Sequence, residues 1–349
     1  MHQFSVLLAA SLVVSVAFAA GGNTCRQGNI VNPPSNGQPY YWPLSWRENS
    51  TVPHLAAGQT CSWTVTIPAK SFAKVSISAK FTDSFSRVQT VDAAGNFVQM
   101  THEKMEPHYF PEAKMTLAIE NEASASFAFK IEWGQIPAVD VIAGIGSHPH
   151  LINATNAVYH HDFGTGDGDH ISLLTFPADK KKLHHLESVL VYDGSNHGLA
   201  GTFINNLGAI YKASRQQFVS PGPGLQLVNL EPSGVLDQVL VQDYQYTQDI
   251  AEYTELYCDG NTTCTATVNG GKHKSALISV DYDHQTLIDI QMDAKANLTV
   301  YYGSPTNFGF YKSYSGADIN SQLPLVFLGS PTQYVISSGK AAFTFTITP

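Results

Sequence analysis

The chain has 349 residues, 43% of them hydrophobic and only 13% charged, with a formal net charge of −9 at pH 7. The charges are scattered and the one basic run, Lys180-Lys181-Lys182, is short, so there is no polyanion-binding stripe and no case for a nucleic-acid partner. Few charges beside 16 Tyr, 18 Phe and 27 Gly favour stacked sheets over helical bundles.

In chain order, residues 4–16 form an apolar and small-residue run that ends in Ala17-Phe18-Ala19. Small residues at the two positions a signal peptidase reads predict a signal peptide over residues 1–19 and a secreted, extracellular product. No second long apolar run follows, so no membrane span is expected. The tail, residues 343–349, alternates like a strand and lacks the hydrophobic stretch of a lipid-anchor signal.

Alternation with period two dominates the next block, residues 20–137. It places Trp63, Val65 and Ile67 on one face of residues 62–68, and Val75, Ile77, Ala79 and Phe81 on one face of residues 73–81. It does the same for Met115, Leu117 and Ile119, and for Phe127, Phe129, Ile131 and Trp133. Each set suits a strand packed on a sandwich core. Residues 92–96 read as a turn. Pro137 and the Gly-rich residues 139–146 mark a boundary.

A second block, residues 138–250, offers strands at 171–176, 188–195, 225–230 and 235–246, with a break at Ser220-Pro221-Gly222-Pro223-Gly224. A third, residues 251–349, aligns Ala276, Ile278, Val280 and Tyr282, then Ile288, Ile290 and Met292, then Leu298, Val300 and Tyr302, and finally Phe343, Phe345 and Ile347. Residues 188–195 (SVLVYDGS) match residues 297–304 (NLTVYYGS) without a gap, and Cys61-Ser62-Trp63-Thr64-Val65 resembles Cys264-Thr265-Ala266-Thr267-Val268. Repeated units of about 100 residues fit a tandem of β-sandwiches.

Cys25, Cys61, Cys258 and Cys264 imply two disulfides in an oxidising compartment, and three pairings are formally open. If Cys61 and Cys264 are equivalent, each pairs with the Cys upstream in its own unit, giving Cys25–Cys61 and Cys258–Cys264. Four N-x-S/T sequons, at Asn49, Asn153, Asn261 and Asn297, are candidate glycosylation sites.

One pattern in the first block is more specific. It runs from Cys25 through Pro33-Pro34 and Tyr40-Tyr41-Trp42-Pro43-Leu44-Ser45-Trp46 to Gly58-Gln59-Thr60-Cys61-Ser62-Trp63. This resembles the CUB-like domain of nematode secreted proteins over about residues 23–135, and the later blocks resemble more divergent units of that kind. The resemblance implies an all-β fold of tandem CUB-like antiparallel β-sandwich (jelly-roll-type) units, secretion, and a place in innate immune, pathogen or stress responses. Many CUB domains bind Ca²⁺ through an acidic triad and a Tyr. Here Asp83 and Asp92 are present without a matching upstream Glu, so no metal is inherited.

Enzymatic signatures are missing: there is no G-x-S-x-G, no P-loop and no H-E-x-x-H. His148, His150, His160, His161, His170, His184 and His185, with Asp162, Asp167 and Asp169, give the second block a metal-capable look. Gly-Asp loops are ordinary turns, however, and no cofactor is assigned. Residues 40–46 are the candidate ligand-binding surface through Tyr40, Tyr41, Trp42 and Trp46, and the competing reading is a strip packed along the sandwich. The sequence therefore predicts a secreted, non-enzymatic protein that binds an extracellular protein or glycan. A carbohydrate-binding role is the first alternative, and a metal-dependent hydrolase using the second block is a remoter one.

Overall fold

The computed structural model describes residues 23–166, 168–194, 201–213, 217–258 and 262–347; the expected leader and Asn261 lie outside them. Strands dominate, and Leu207–Ala213 is the one α-helix among the described residues. No helix among them is long and apolar enough to cross a membrane.

In the first block the alternating stretches fuse. Residues 62–68 and 73–81, expected as separate strands, form one strand, Gln59–Phe81, and residues 114–120 lie within His102–Asn121. The long strand turns between its halves at Lys70, whose φ is +60°, and the pairing register shifts between Ile67 and Phe72. Its first half pairs with Asn29–Val31 and with the end of His102–Asn121. Its second half pairs with Ala125–Gln135 and with the start of His102–Asn121. Each long strand thus serves both layers of a sandwich. The expected turn at residues 92–96 joins Arg87–Val91 to Phe97–Met100, closed by the Gly95 N–H donating to the Asp92 carbonyl.

The later blocks use separate strands for the same path. One sheet of the second block orders Val141–Gly144, Tyr159–Gly164, Gly224–Asn229, Val189–Asp193 and Thr202–Asn206. The other orders His150–Asn153, Gln238–Asp243, Ile171–Phe176 and Phe218–Val219. In the third block the five-stranded sheet runs Ile250–Glu255, Lys274–Ser279, Thr332–Ile336, Asn297–Tyr302 and Phe310–Ser315. The four-stranded one runs Thr263–Asn269, Lys340–Ile347, His284–Met292 and Leu325–Leu328. With the two long strands of the first block counted as halves, and its short His54–Leu55 strand set aside, all three blocks trace one strand order. Pairing is antiparallel except that the opening strand of each block runs parallel to its neighbour. The matched motifs occupy equivalent strands, and each carries a register shift at the same place, between Val191 and Tyr192 and between Val300 and Tyr301.

Several expectations need correction. The disulfides are Cys25–Cys61, with Cα atoms 5.7 Å apart, and Cys258–Cys264, 5.0 Å apart. Yet Cys61 lies on the third strand of its block and Cys264 on the second, so the equivalence that suggested the pairing does not hold. Residues 139–146 are more than a boundary, since Val141–Gly144 is an edge strand of the second block. Ile288 is not on the core face: the ladder shifts between Leu287 and Asp289, so Leu287 and Ile290 point inward and Ile288 outward.

Ala276, Ile278 and Val280 do share a face, but it is not that of their own core. Three apolar clusters lie inside the blocks, one around Trp63, Phe127 and Phe129, one around Phe163, Leu173 and Leu227, and one around Tyr334, Phe343 and Phe345. Two more lie between blocks. Tyr109 meets Leu190, Val228 and Leu230 at the first junction. Leu174, Phe176 and Leu240 meet Ile250, Tyr253, Ala276, Ile278 and Val280 at the second. At each junction the outer face of a four-stranded layer packs on the five-stranded sheet of the next block.

Both sheets of the second block are therefore covered on both faces. In Ile171–Phe176, Ile171 and Leu173 point into the block's own core while Leu174 and Phe176 enter the second junction. In Val189–Asp193, Val189 and Val191 point inward and Leu190 enters the first junction. Strands buried on two faces read as continuous apolar runs. Leu240→Ala, a change outside the block's own core, is expected to cost about 2–5 kcal/mol, because Leu240 is fully buried. Urea unfolding should show that loss together with a separation of the third block's transition from the rest.

Candidate binding groove at the second junction

The aromatic segment divides between packing and the surface. Tyr40–Trp42 is a strand paired with Ala125–Gln135. Trp42 packs on Trp63, Phe127 and Phe129, with ring centroids 5.0, 5.5 and 6.1 Å away. Trp46 is buried, and Tyr40 lies against Phe129. Tyr41 is half-buried between the Trp46 edge and the Arg47 guanidinium, which sits 4.5 Å from its ring centroid. Trp42 and Trp46 thus contribute core area, and no flat aromatic platform forms.

The histidines are dispersed. His160 is fully buried with Nδ1 3.0 Å from the Pro137 carbonyl, and His161 stacks on Tyr159 at 4.4 Å. His170 faces the Ser220 carbonyl at 2.8 Å, and His185 lies 3.4 Å from Asp237. His148 is near Phe308 and His150 near Phe163. The His184 and His185 rings lie 4.3 Å apart, tilted by 52°. Among the described residues no three His, Cys, Asp or Glu side chains stand together as a metal site, and Asp167 lies outside those residues.

A concavity opens where the second and third blocks meet. It holds about 750 Å³, in the range of small-molecule sites. Phe176 and Ile210 supply apolar wall, Tyr253 and Glu255 come from the edge strand Ile250–Glu255, and Lys180 and Lys212 stand at its rim. The Lys180 ammonium lies 2.8 Å from the Glu255 carboxylate and 4.8 Å from the Tyr257 ring centroid. Burial lifts the Glu255 carboxyl above the usual range, and Lys180 only partly opposes it. No sequence motif marked this place. Its signal was the apolar run at residues 171–176, which alternation alone assigns to a single core.

A charged clamp holds the first junction. His108 is buried with Nε2 3.2 Å from Glu103 and Nδ1 2.9 Å from Glu187 of the second block. Burial opposes the imidazolium, but hydrogen bonds and attraction from the two carboxylates outweigh it and lift the ring to about 9. Burial also opposes the Glu187 charge, and His108 outweighs it and holds the carboxyl below its ordinary value. Nearby, the Lys74 ammonium and the Tyr109 hydroxyl both donate to Glu231 across the same junction.

Two parts of the chain match known domain families. Residues 20–137 match the CUB-like domain, and residues 245–348 match a domain of unknown function (DUF7591). The chain carries a CUB-like domain. No curated protein matches the chain. Among solved structures, the CUB1-EGF-CUB2 domains of rat MASP-1 share 8% identity, cover 61% of this chain and 99% of their own, and give a TM-score of 0.23. The same domains of human MASP-1/3 share 7%, cover 54% and 94%, and give 0.22. The extracellular region of zebrafish Gpr126/Adgrg6 shares 8%, covers 93% and 53%, and gives 0.24.

In the CUB-like domain the two acids considered for calcium cap turns. Asp83 accepts from the Phe85 and Ser86 N–H groups and the Ser86 hydroxyl, and the bonds from Ser86 hold its carboxyl below the usual range. Asp92 accepts from the Ala94 and Asn96 N–H groups.

The clamp has a pH signature. His108, raised from 6.5 to about 9, contributes its full stabilisation below 6.5 and loses it as pH rises through 9. That contribution is on the order of 3 kcal/mol. Glu187, lowered from 4.5, contributes above 4.5 and loses it as pH falls. Thermal unfolding should therefore show a plateau between these limits and a decline toward pH 9. His108→Gln should flatten the alkaline decline; an unchanged alkaline limb would place the titrating group elsewhere.

Proposed function

We propose that the chain is a secreted, non-enzymatic binding protein of three CUB-like units, residues 20–137, 138–250 and 251–349, that engages an extracellular partner through the groove at its second junction. CUB-like domains and disulfides are typical of extracellular proteins, and such domains are generally binding modules rather than catalysts. The observation that carries the reading is the groove itself: an apolar wall from Phe176 and Ile210 with the largely buried Glu255, beneath the rim cations Lys180 and Lys212. Such a lining suits a protruding apolar side chain flanked by polar groups. The shared strand order supports the three-unit division, and the resemblance to nematode CUB-like proteins supports a role in pathogen or stress responses.

Glycan recognition through residues 40–46 remains the rival reading. It has only Tyr41 to build on beside two tryptophans engaged in packing.

Thr175 is half-buried on the groove wall. Thr175→Trp should fill the groove, leave the thermal transition within a few degrees of the parent, and remove the parent's captured partner in pull-downs from host and microbial surfaces. Identical capture by parent and variant would reject the groove, and binding to a glycan array would favour the rival. Asn49 and Asn297 are exposed, whereas the Asn153 side chain accepts from the Thr155 and Asn156 N–H groups beside a buried Thr155. Peptide mapping of secreted material should find glycan on Asn49 and Asn297 and not on Asn153.

A further inference from the structure

The first junction encloses a second, smaller cavity of about 120 Å³, apart from the groove. Lys70 and Glu112 of the first block stand at its mouth, exposed to solvent, and His160, Tyr192, Phe203 and Gln226 of the second block line it. His160 and Gln226 are buried.

Two buried polar atoms of this lining lack a partner, His160 Nε2 and the Tyr192 hydroxyl. His160 Nδ1 lies 3.0 Å from the Pro137 carbonyl, which can only accept. In a neutral ring Nδ1 therefore carries the proton, and Nε2 is a bare acceptor. Buried polar groups are normally satisfied, so a fully buried imidazole with one nitrogen unpartnered beside a polar cavity points to an occupant.

The repeat supplies an independent observation. Tyr192 pairs across strands with Gln226, and at the equivalent place in the third block Tyr301 pairs with Gln333. At the second junction Gln333 is engaged by protein donors and acceptors, although its own Oε1 lacks a partner and Tyr301 lines a cavity of about 90 Å³. Gln333 donates to Gln242 Oε1 at 2.9 Å and to the Gly303 carbonyl at 2.8 Å, and the Ser304 hydroxyl donates to Gln242 Oε1 at 3.1 Å. At the first junction the equivalent pair opens on the cavity.

Charge selects the class of ligand. A carboxylate entering the cavity meets Glu112, with Asp162 behind Gln226 at 3.4 Å. An amine meets the Lys70 ammonium. Neutral hydroxyls match what remains: they donate to His160 Nε2, exchange bonds with the Tyr192 hydroxyl and accept from Lys70. The Tyr192 and Phe203 rings, 5.4 Å apart, offer an apolar wall to C–H groups. We propose that this cavity is a subsite for a neutral polyhydroxylated ligand, a small polyol or one sugar ring entering edge-on. The proposal does not depend on the groove.

The test titrates the intact protein with glycerol, myo-inositol, glucose, galactose and N-acetylglucosamine, with methylammonium and acetate as charged controls. The readouts are the His160 imidazole ¹⁵N signals and the thermal transition. At least one neutral probe should move the His160 signal saturably in the millimolar range and raise the transition. Tyr192→Phe should weaken that probe about tenfold, the loss of one buried hydrogen bond. Lys70→Asn, a residue that tolerates the positive φ at this position, should weaken it less and guards against misfolding of the first variant. The proposal is overturned if no neutral probe moves the His160 signal, if a charged control binds more tightly, or if both variants bind as the parent does.

Discussion

The architecture depends on the burial of both faces of both sheets in the middle block. A sandwich of this size normally covers only its two inner faces and leaves the outer ones wet. Here Leu190 and Val228 are covered by the first block and Leu174 and Leu240 by the third, while their strand neighbours fill the block's own core. The block has no cysteine, whereas each flanking block has one disulfide. Its neighbours supply by packing what a covalent link supplies elsewhere. The three blocks therefore hold as a stack, and the concave sites lie at the two interfaces the stack creates.

Much of this was legible in the sequence wherever one face of a strand is wet. Trp63, Val65 and Ile67 alternate with half-exposed neighbours, and so do Phe343, Phe345 and Ile347. The period of two reports a real inside and outside there. The signal fails where both faces are dry: Lys274–Ser279 is buried from Ser275 onward, and its alternating apolar set faces another block. It also fails at a bulge, which puts Ile288 outward. The pair of Val-Tyr motifs marked truly equivalent strands because a shared bulge and turn lie beneath them. The cysteine motif marked unequal ones, because alternation beside a Cys recurs on any half-buried strand.

The binding surfaces were less legible, for a physical reason. An aromatic cluster in sequence is as useful to a core as to a ligand, and Trp42 and Trp46 went to the core. The groove and the clamp are assembled from residues far apart in the chain, such as Phe176 with Glu255, or His108 with Glu187. Neither has a local spacing to detect. The count of histidines was also misleading, since they are scattered over separate carbonyl, aromatic and carboxylate partners.

The two junctions differ in kind, and the difference follows from what each outer face carries. The four-stranded layer of the second block presents Leu174, Phe176 and Leu240, and it is closed largely by apolar contact, with a buried glutamine pair, the Lys180–Glu255 ion pair and a Gln238–Asp281 hydrogen bond beside it. The corresponding layer of the first block presents Phe72 and Tyr109 beside Lys74 and His108, and it is closed largely by Glu187 and Glu231 reaching across. Apolar contact carries no titrating charge, whereas a buried imidazolium held by carboxylates loses its attraction once the ring is deprotonated. A rise in pH through 9 therefore acts on the first junction, through His108. Both junctions enclose unpaired polar atoms, His160 Nε2 and the Tyr192 hydroxyl at the first and Gln242 Nε2 and Gln333 Oε1 at the second, and the second holds the larger groove. The paired charges of His108, Glu103 and Glu187 stand at the first junction, and at the groove an ion pair, Lys180 with Glu255, stands beside an apolar wall.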